Sequence, residues 1–206
     1  MTLEPRTEPR PELIPAHRRA VILERIRAQA GASIQELAAA TGASGSTIRR
    51  DLEHLEREGY LQRSHGGALL QPTMHSRFEP EASIAAELAR AEKQAIGIAA
   101  AARLNPGQSV IFDSGSTVRA AARATAERGI RLTAVTNDLG VGQIFSSVPE
   151  VEVVVVGGRL RHGSLTLLGD PGIGFMKDIQ ADVALIGTHA ISAGVLTDTS
   201  IEISTM

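Results

Sequence analysis

The sequence predicts a two-part chain: an N-terminal winged helix-turn-helix of α+β class, followed by an α/β domain built on a mostly parallel sheet. Three observations point there. Two short segments of helical apolar period meet at Gly42 and run into a Gly-rich hairpin signal. Prolines cluster between residues 72 and 80, where neither periodicity continues. From residue 109 onward, short aliphatic runs alternate with helical segments, the pattern of strand-helix-strand units.

Taken in order, residues 1–15 hold four of the nine prolines and are expected to form a disordered tail. The first domain is read as 16–71. Over residues 17–29, Val21, Ile22 and Ile26 share one helical face, and Gly31 is expected to end that helix. Ser33 caps a second helix carrying Ile34, Leu37 and Ala38 inward. Ser44 caps a third that runs to about Glu58 and stops at Gly59. Residues 60–63 and 68–70 are the candidate strands of a wing, with residues 64–67 as its turn.

Residues 72–81 are read as a linker and 82–206 as the second domain. It opens with an Ala-rich amphipathic helix over 82–103, broken by Pro106 and Gly107. Strands are expected at 109–112, 132–136, 151–156 and 182–187, with helices at 118–127 and 139–146 between them.

Composition narrows the chemistry. The chain has no Cys, which excludes disulfides, thiolate metal sites and cysteine nucleophiles. No catalytic set, metal-ligand cluster or cofactor fingerprint is read. The opening residues lack the apolar run of a signal peptide, and no apolar stretch is long enough to span a bilayer, so a cytoplasmic protein is expected. Net charge is −2. Residues 1–70 carry 10 Arg against 9 acidic residues, so nucleic-acid binding must rest on a few placed arginines and not on a basic field.

Those arginines fall on the third helix. Ile48, Leu52 and Leu55 occupy one narrow arc, which leaves Ser46, Arg49, Arg50 and Glu53 on the far side. Hydroxyls and arginines near a helix N-terminus suit the major groove, because the helix end approaches phosphate and Arg forks onto guanine or phosphate. Arg63 and His65 on the wing are placed to reach the neighbouring backbone. Periodicity alone favours an ordinary amphipathic helix whose arginines pair with Asp51, Glu53 and Glu56.

In the second domain, Asp113-Ser114-Gly115-Ser116-Thr117 follows a strand and opens a helix. Glycine admits an anion close to the backbone, and the first helical N–H groups with two hydroxyls supply donors. The expectation is a phosphate held on the N–H groups of Gly115, Ser116 and Thr117, with Asp113 accepting from a sugar hydroxyl. A merely capped strand-to-helix turn is the alternative. Three further loops, at Thr136-Asn137-Asp138, Gly157-Gly158-Arg159 and Gly187-Thr188-His189, fall where ligands of open α/β sheets bind.

The run from Ser44 to Leu52, with Leu55, Gly59, Leu61, Arg63 and His65-Gly66-Gly67-Ala68, resembles the signature of the DeoR family of bacterial regulators over about 50 residues. The resemblance implies that Ser44, Ser46, Thr47, Arg49, Arg50, Arg63 and His65 meet operator DNA. Gly45 departs from the longer side chain usual there. Lys93, Ile96, residues 113–117, Thr136-Asn137, Gly157-Gly158, Gly169, Asp182, Gly187, Gly194, Asp198, Glu202 and Met206 resemble the family's sensor domain. That domain is similar to the sugar-phosphate isomerase and CoA-transferase class. The resemblance implies a pocket of Asp113, Gly115, Ser116, Thr117, Asn137, Gly158 and Glu202 for a phosphorylated sugar or related metabolite. A single winged module reads only a short half-site, so a homo-oligomer, a dimer or tetramer, is expected. Family chains run several tens of residues beyond the position of Met206, so the sheet and pocket are expected to lack strands and a lysine.

Two rival functions stand beside a repressor released by a sugar phosphate. One is a sugar-phosphate isomerase-like enzyme, with Asp113, Asp138 or Glu202 as general base. The other is a non-sensing DNA-binding dimer.

Overall fold

The structure, a computed structural model, describes residues 13–70 and 80–197, in two compact units, residues 1–78 and 79–206. Most of the expected tail and linker, and Asp198, Glu202 and Met206, lie outside the described residues.

In the first unit, α1 (Pro15–Gln29) begins on a proline at its first turn, so the helix starts inside the stretch expected to be tail. It ends on Ala30, which takes the left-handed conformation at φ 60°. Gly31 does not serve as the cap because it opens a strand that the sequence reading lacks, β1 (Gly31–Ser33). Ser33 then caps α2 (Ile34–Thr41) through a reciprocal box with Glu36: Glu36 N donates to Ser33 Oγ at 3.2 Å, and Ser33 N to Glu36 Oε2 at 2.8 Å. The Ser33 N–H and hydroxyl, both donating to Glu36 Oε2 at 2.8 Å, hold that carboxyl below its ordinary pKa. Gly42, at φ 71°, turns the chain into α3 (Gly45–Arg57).

The core of this unit is aliphatic. Ile22 and Ile26 of α1 and Ile48 and Leu55 of α3 are wholly buried, as is Leu37 of α2. At the end of α3, Tyr60 N donates to Leu55 O and Gly59 N to Glu56 O, the paired bonds of a Schellman turn. That turn buries Tyr60 and Leu61. The wing strands therefore start later than the apolar residues suggest, as β2 (Gln62–Ser64) and β3 (Gly67–Leu69). The sheet order is β1-β3-β2, all antiparallel. A Cβ on Gly67 would lie 2.2 Å from Ala32 O, so only glycine lets β1 close on β3.

In the second unit, the single helix expected over 82–103 is two: α4 (Ala82–Glu87) and α5 (Arg90–Ala101). Ala89 breaks them, in the left-handed region at φ 48°. No Gly or Pro marks the break. It buries Leu88 and lets Lys93 Nζ donate back to Ala85 O at 2.6 Å.

Then follow β4 (Ser109–Phe112), α6 (Ser116–Arg128), β5 (Leu132–Thr136), α7 (Leu139–Phe145), β6 (Val151–Val155), β7 (Arg159–Leu160), β8 (Leu167–Leu168), α8 (Gly172–Met176), β9 (Val183–Leu185), β10 (Ala190–Ser192) and β11 (Val195–Thr197). The main sheet runs β6-β5-β4-β9, and every pairing in it is parallel. The pairs β7-β8 and β10-β11 are small antiparallel ribbons outside it, absent from the sequence reading because each strand is only two or three residues long. Val110, Phe112, Ala134 and Val141 fill the core, and Phe112 meets Phe145 edge to face at 5.1 Å. Gly97 seats α5 on α6: a Cβ there would lie 2.6 Å from the Ala120 carbonyl carbon.

Candidate nucleic-acid interface and ligand cradle

Ser44 sets the start of α3. Its hydroxyl accepts from Thr47 N at 3.2 Å and lies 2.8 Å from Ser46 Oγ and 2.9 Å from Thr47 Oγ1, so it is engaged in the cap. Ser46, Arg49, Arg50 and Glu53 are exposed, while Ile48, Asp51, Leu52 and Leu55 point inward. The acids that could neutralise the two arginines are occupied elsewhere. Asp51 is buried and paired with Arg18 and Arg19 of α1 at 2.5 and 3.0 Å. Glu53 pairs with Arg63 of β2 at 3.3 Å, and Glu56 accepts from Arg63 N at 2.9 Å. Among the described residues, neither Arg49 nor Arg50 has a hydrogen bond or an ion pair. His65 sits exposed in the two-residue wing turn beside Gly66, whose φ is 100°.

In the second unit, the strand order places β4 between β5 and β9, so the chain direction of winding reverses at the ends of β4 and β9. Crevices of this kind are where open parallel sheets hold ligands. The loops there are bonded to one another. Gly187 N, after β9, donates to Asp113 Oδ2 at 3.0 Å. Gly115 N, after β4, donates to Asp138 Oδ2 at 3.2 Å. The Gly115 N–H, expected to hold a phosphate, donates here to Asp138. The N–H groups of Ser116 and Thr117 donate to no described residue, and they open a thirteen-residue helix. Gly115, at φ 125°, has nothing within 4 Å of a notional Cβ, so it is required by backbone angle and not by crowding.

Asn137 and Gly158 stand one loop further along. Asn137 exchanges bonds with Leu167: its carbonyl accepts at 2.8 Å and its amide donates to Leu167 O at 3.3 Å. Gly158, at φ 156°, lies against Leu168, whose carbonyl would be 2.9 Å from a Cβ. Both thus also bind the loop to β8. Glu202 lies outside the described residues.

Asp138 has a structural role that the sequence reading did not draw. It is fully buried, and Oδ1 accepts from Gly140 N and Val141 N at 2.8 and 3.0 Å as the cap of α7. Its Oδ2 takes Gly115 N and faces Arg119 Nε at 3.4 Å. With those donors it braces two loops. The signal was present: Asp followed by Leu-Gly-Val-Gly at a strand-to-helix junction is an N-cap pattern. Arg119, buried within an Ala-rich helix, gave no comparable signal.

Comparison with known proteins follows the same division. Residues 18–73 match the DeoR-like helix-turn-helix domain, and residues 88–206 match the DeoR C-terminal sensor domain. A protein of Escherichia coli O157:H7 named for repression of the aga operon is 32% identical over 85% of this chain and 65% of its own length. The transcriptional regulator GlpR of Haloferax volcanii is 33% identical over 87% of this chain and 69% of its own. The transcriptional repressor GlcR of Bacillus subtilis is 32% identical over 72% and 56%. The chain thus spans roughly two thirds of the length of these relatives, or somewhat less. No helix among the described residues is long and apolar enough to cross a membrane.

Proposed function

The chain belongs to the DeoR family of transcriptional regulators, and on that premise we propose that it represses genes of carbohydrate metabolism and leaves its operator when a phosphorylated sugar binds. The observation that carries the DNA half is the pair Arg49 and Arg50, exposed on α3 while every neighbouring acid is held by another arginine or by the wing. Guanidinium groups on one helix face with no ion pair to break are available to bases and phosphates. Ser46 and Thr47 share the N-terminal turn of the reading helix, Ser44 fixes that turn, and Arg63 and His65 reach the flanking backbone from the wing.

The sensing half rests on the two open N–H groups of Ser116 and Thr117 at the positive end of α6. The phosphate sits there, the sugar extends toward Asp113 and Asn137, and Gly115 and Gly158 keep the backbone close. Glu202 completes the pocket by family position. The sheet is of the sugar-phosphate isomerase and CoA-transferase class, used here for binding. The protein acts in the cytoplasm as a homo-oligomer, since a single winged module reads only one half-site.

Operator binding across a salt series tests the first half. Arg49→Ala/Arg50→Ala loses about 1–3 kcal/mol per base contact and flattens the salt slope for each phosphate contact. Wild-type affinity in a folded double variant refutes the assignment. Calorimetry with pentose and hexose phosphates tests the second half, using Thr117→Glu. The new carboxylate suits the helix end, so the fold survives, but it occupies the phosphate position. Linkage requires that an effector which releases DNA also bind more weakly to the DNA complex, by the same factor. Undiminished binding to Thr117→Glu removes the cradle from this loop.

A further inference from the structure

Between α4, α5 and α6 lies a cavity of about 240 Å³. Four cations line it, Arg90, Lys93, Arg119 and Arg123, against two carboxylates, Glu87 and Glu127. Arg90 is within 3.4 Å of Glu87. Arg123 has neither a hydrogen bond nor an ion pair among the described residues, although Glu127 stands one helical turn away on the same wall and is likewise unpaired. Arg119 is 9% exposed, and its Nε is buried with no hydrogen-bond partner. Ala120, Ala124 and Ile98 supply apolar wall, and Ser116 lies at the α6 N-terminal end of the lining.

Gathering cations around one small cavity costs Coulomb energy unless a counter-charge enters. The buried Arg119 Nε makes no hydrogen bond and has only the Asp138 carboxylate, at 3.4 Å, to offset its desolvation. We propose that this cavity is a binding site for a small, multiply charged oxyanion of the phosphomonoester or pyrophosphate class, held by Arg123 and Arg90 at its exposed side and by Arg119 at its buried side. The arginine forks match tetrahedral oxyanions, and the alanine wall admits a short carbon body. The site does not depend on the loop cradle, with which it shares only Ser116. The two are nonetheless in communication. Arg119 Nε lies 3.4 Å from Asp138 Oδ2, the same oxygen that holds the Gly115 N–H, so an anion in the cavity draws on the guanidinium that braces the loop.

The test is calorimetric titration of inorganic pyrophosphate into the full chain, into Arg90→Ala/Arg123→Ala and into Thr117→Glu, with circular dichroism confirming that each variant is folded. Wild type is expected to bind saturably. The double variant is expected to bind at least about tenfold more weakly, for the loss of two charge-assisted contacts. Thr117→Glu, which blocks the loop cradle, is expected to keep the binding that Arg90→Ala/Arg123→Ala loses. Absence of saturable binding to wild type overturns the proposal, as does unchanged affinity in the double variant. Loss of binding in both variants makes the two sites one and overturns it as well. A sugar phosphate that binds the double variant normally but not Thr117→Glu reports on the loop cradle alone, so failure of one reading is told apart from failure of the other.

Discussion

Arg18 and Asp51, thirty-three residues apart, meet in the interior of the first unit with Arg18 Nε 2.5 Å from Asp51 Oδ2. Both side chains are almost wholly buried, and Arg19 adds a third member at 3.0 Å. The pair ties α1 to the helix that carries Arg49 and Arg50, the residues immediately before Asp51. Removing the carboxylate leaves a buried guanidinium without its counter-charge, a loss of about 3–5 kcal/mol. Asp51→Ala is expected to lower the chemical denaturation midpoint of the first unit accordingly. A change below about 1 kcal/mol would mean that the pair is screened and structurally idle.

Two glycines of the same unit are expected to respond in opposite directions to alanine. Gly67→Ala forces a Cβ within 2.2 Å of Ala32 O and must push β1 off β3, so it destabilises by about 1–3 kcal/mol. Gly45 opens α3 without a left-handed φ, and its notional Cβ makes ordinary contacts alone, with Ile34 Cγ2 at 3.5 Å and Arg49 Nη1 at 4.0 Å. Gly45→Ala is therefore expected to stabilise, by about 0.4–1 kcal/mol, through the unfolded chain. Thermal unfolding of both variants checks the contrast, and two shifts of the same sign would contradict it.

Asp182 gives a pH signature. The backbone N–H and the hydroxyl of Ser109 both donate to its Oδ2, at 2.7 and 2.9 Å, and hold the carboxyl below its ordinary value. A depressed folded-state pKa contributes stability that is fully present above the ordinary carboxylate range and is lost as pH falls through the lowered value. Asp182→Asn is expected to flatten the acid limb of the second unit's stability profile while leaving its neutral-pH fold intact. An acid limb identical to wild type would show that the contact does no work at the β4–β9 junction.

How much of this was legible beforehand varied with the physics involved. Helices and parallel strands with a sustained apolar period, such as Gly45–Arg57 and Leu132–Thr136, follow from the sequence because burial of one face dictates them. The strand Gly31–Ser33 does not. Three residues carry no period, and their pairing with β3 is settled by a glycine thirty-four positions away from Ser33. The break at Ala89 was invisible for a related reason: alanine adopts left-handed backbone there under tertiary packing, with no local punctuation. The exposed face of α3 was readable from spacing. That Asp51 and Glu53 would be claimed by Arg18 and Arg63 was not, since it depends on elements brought together by the fold.

The strand β1 alters what kind of object the wing is. A free two-stranded hairpin is marginal in water. Here the third strand belongs to the segment between α1 and α2, and Ile34 N and Leu70 N lock its two ends to Gly66 O and Ala30 O. Glu53 and Glu56 clamp the other edge to α3 through Arg63. The distance from the reading helix to the wing tip is thereby set before any DNA arrives, like the jaws of a caliper fixed at one gauge. On the proposed DNA contact, little ordering entropy would remain to be lost on docking, and a duplex whose groove width departs from that gauge would have to deform to meet both.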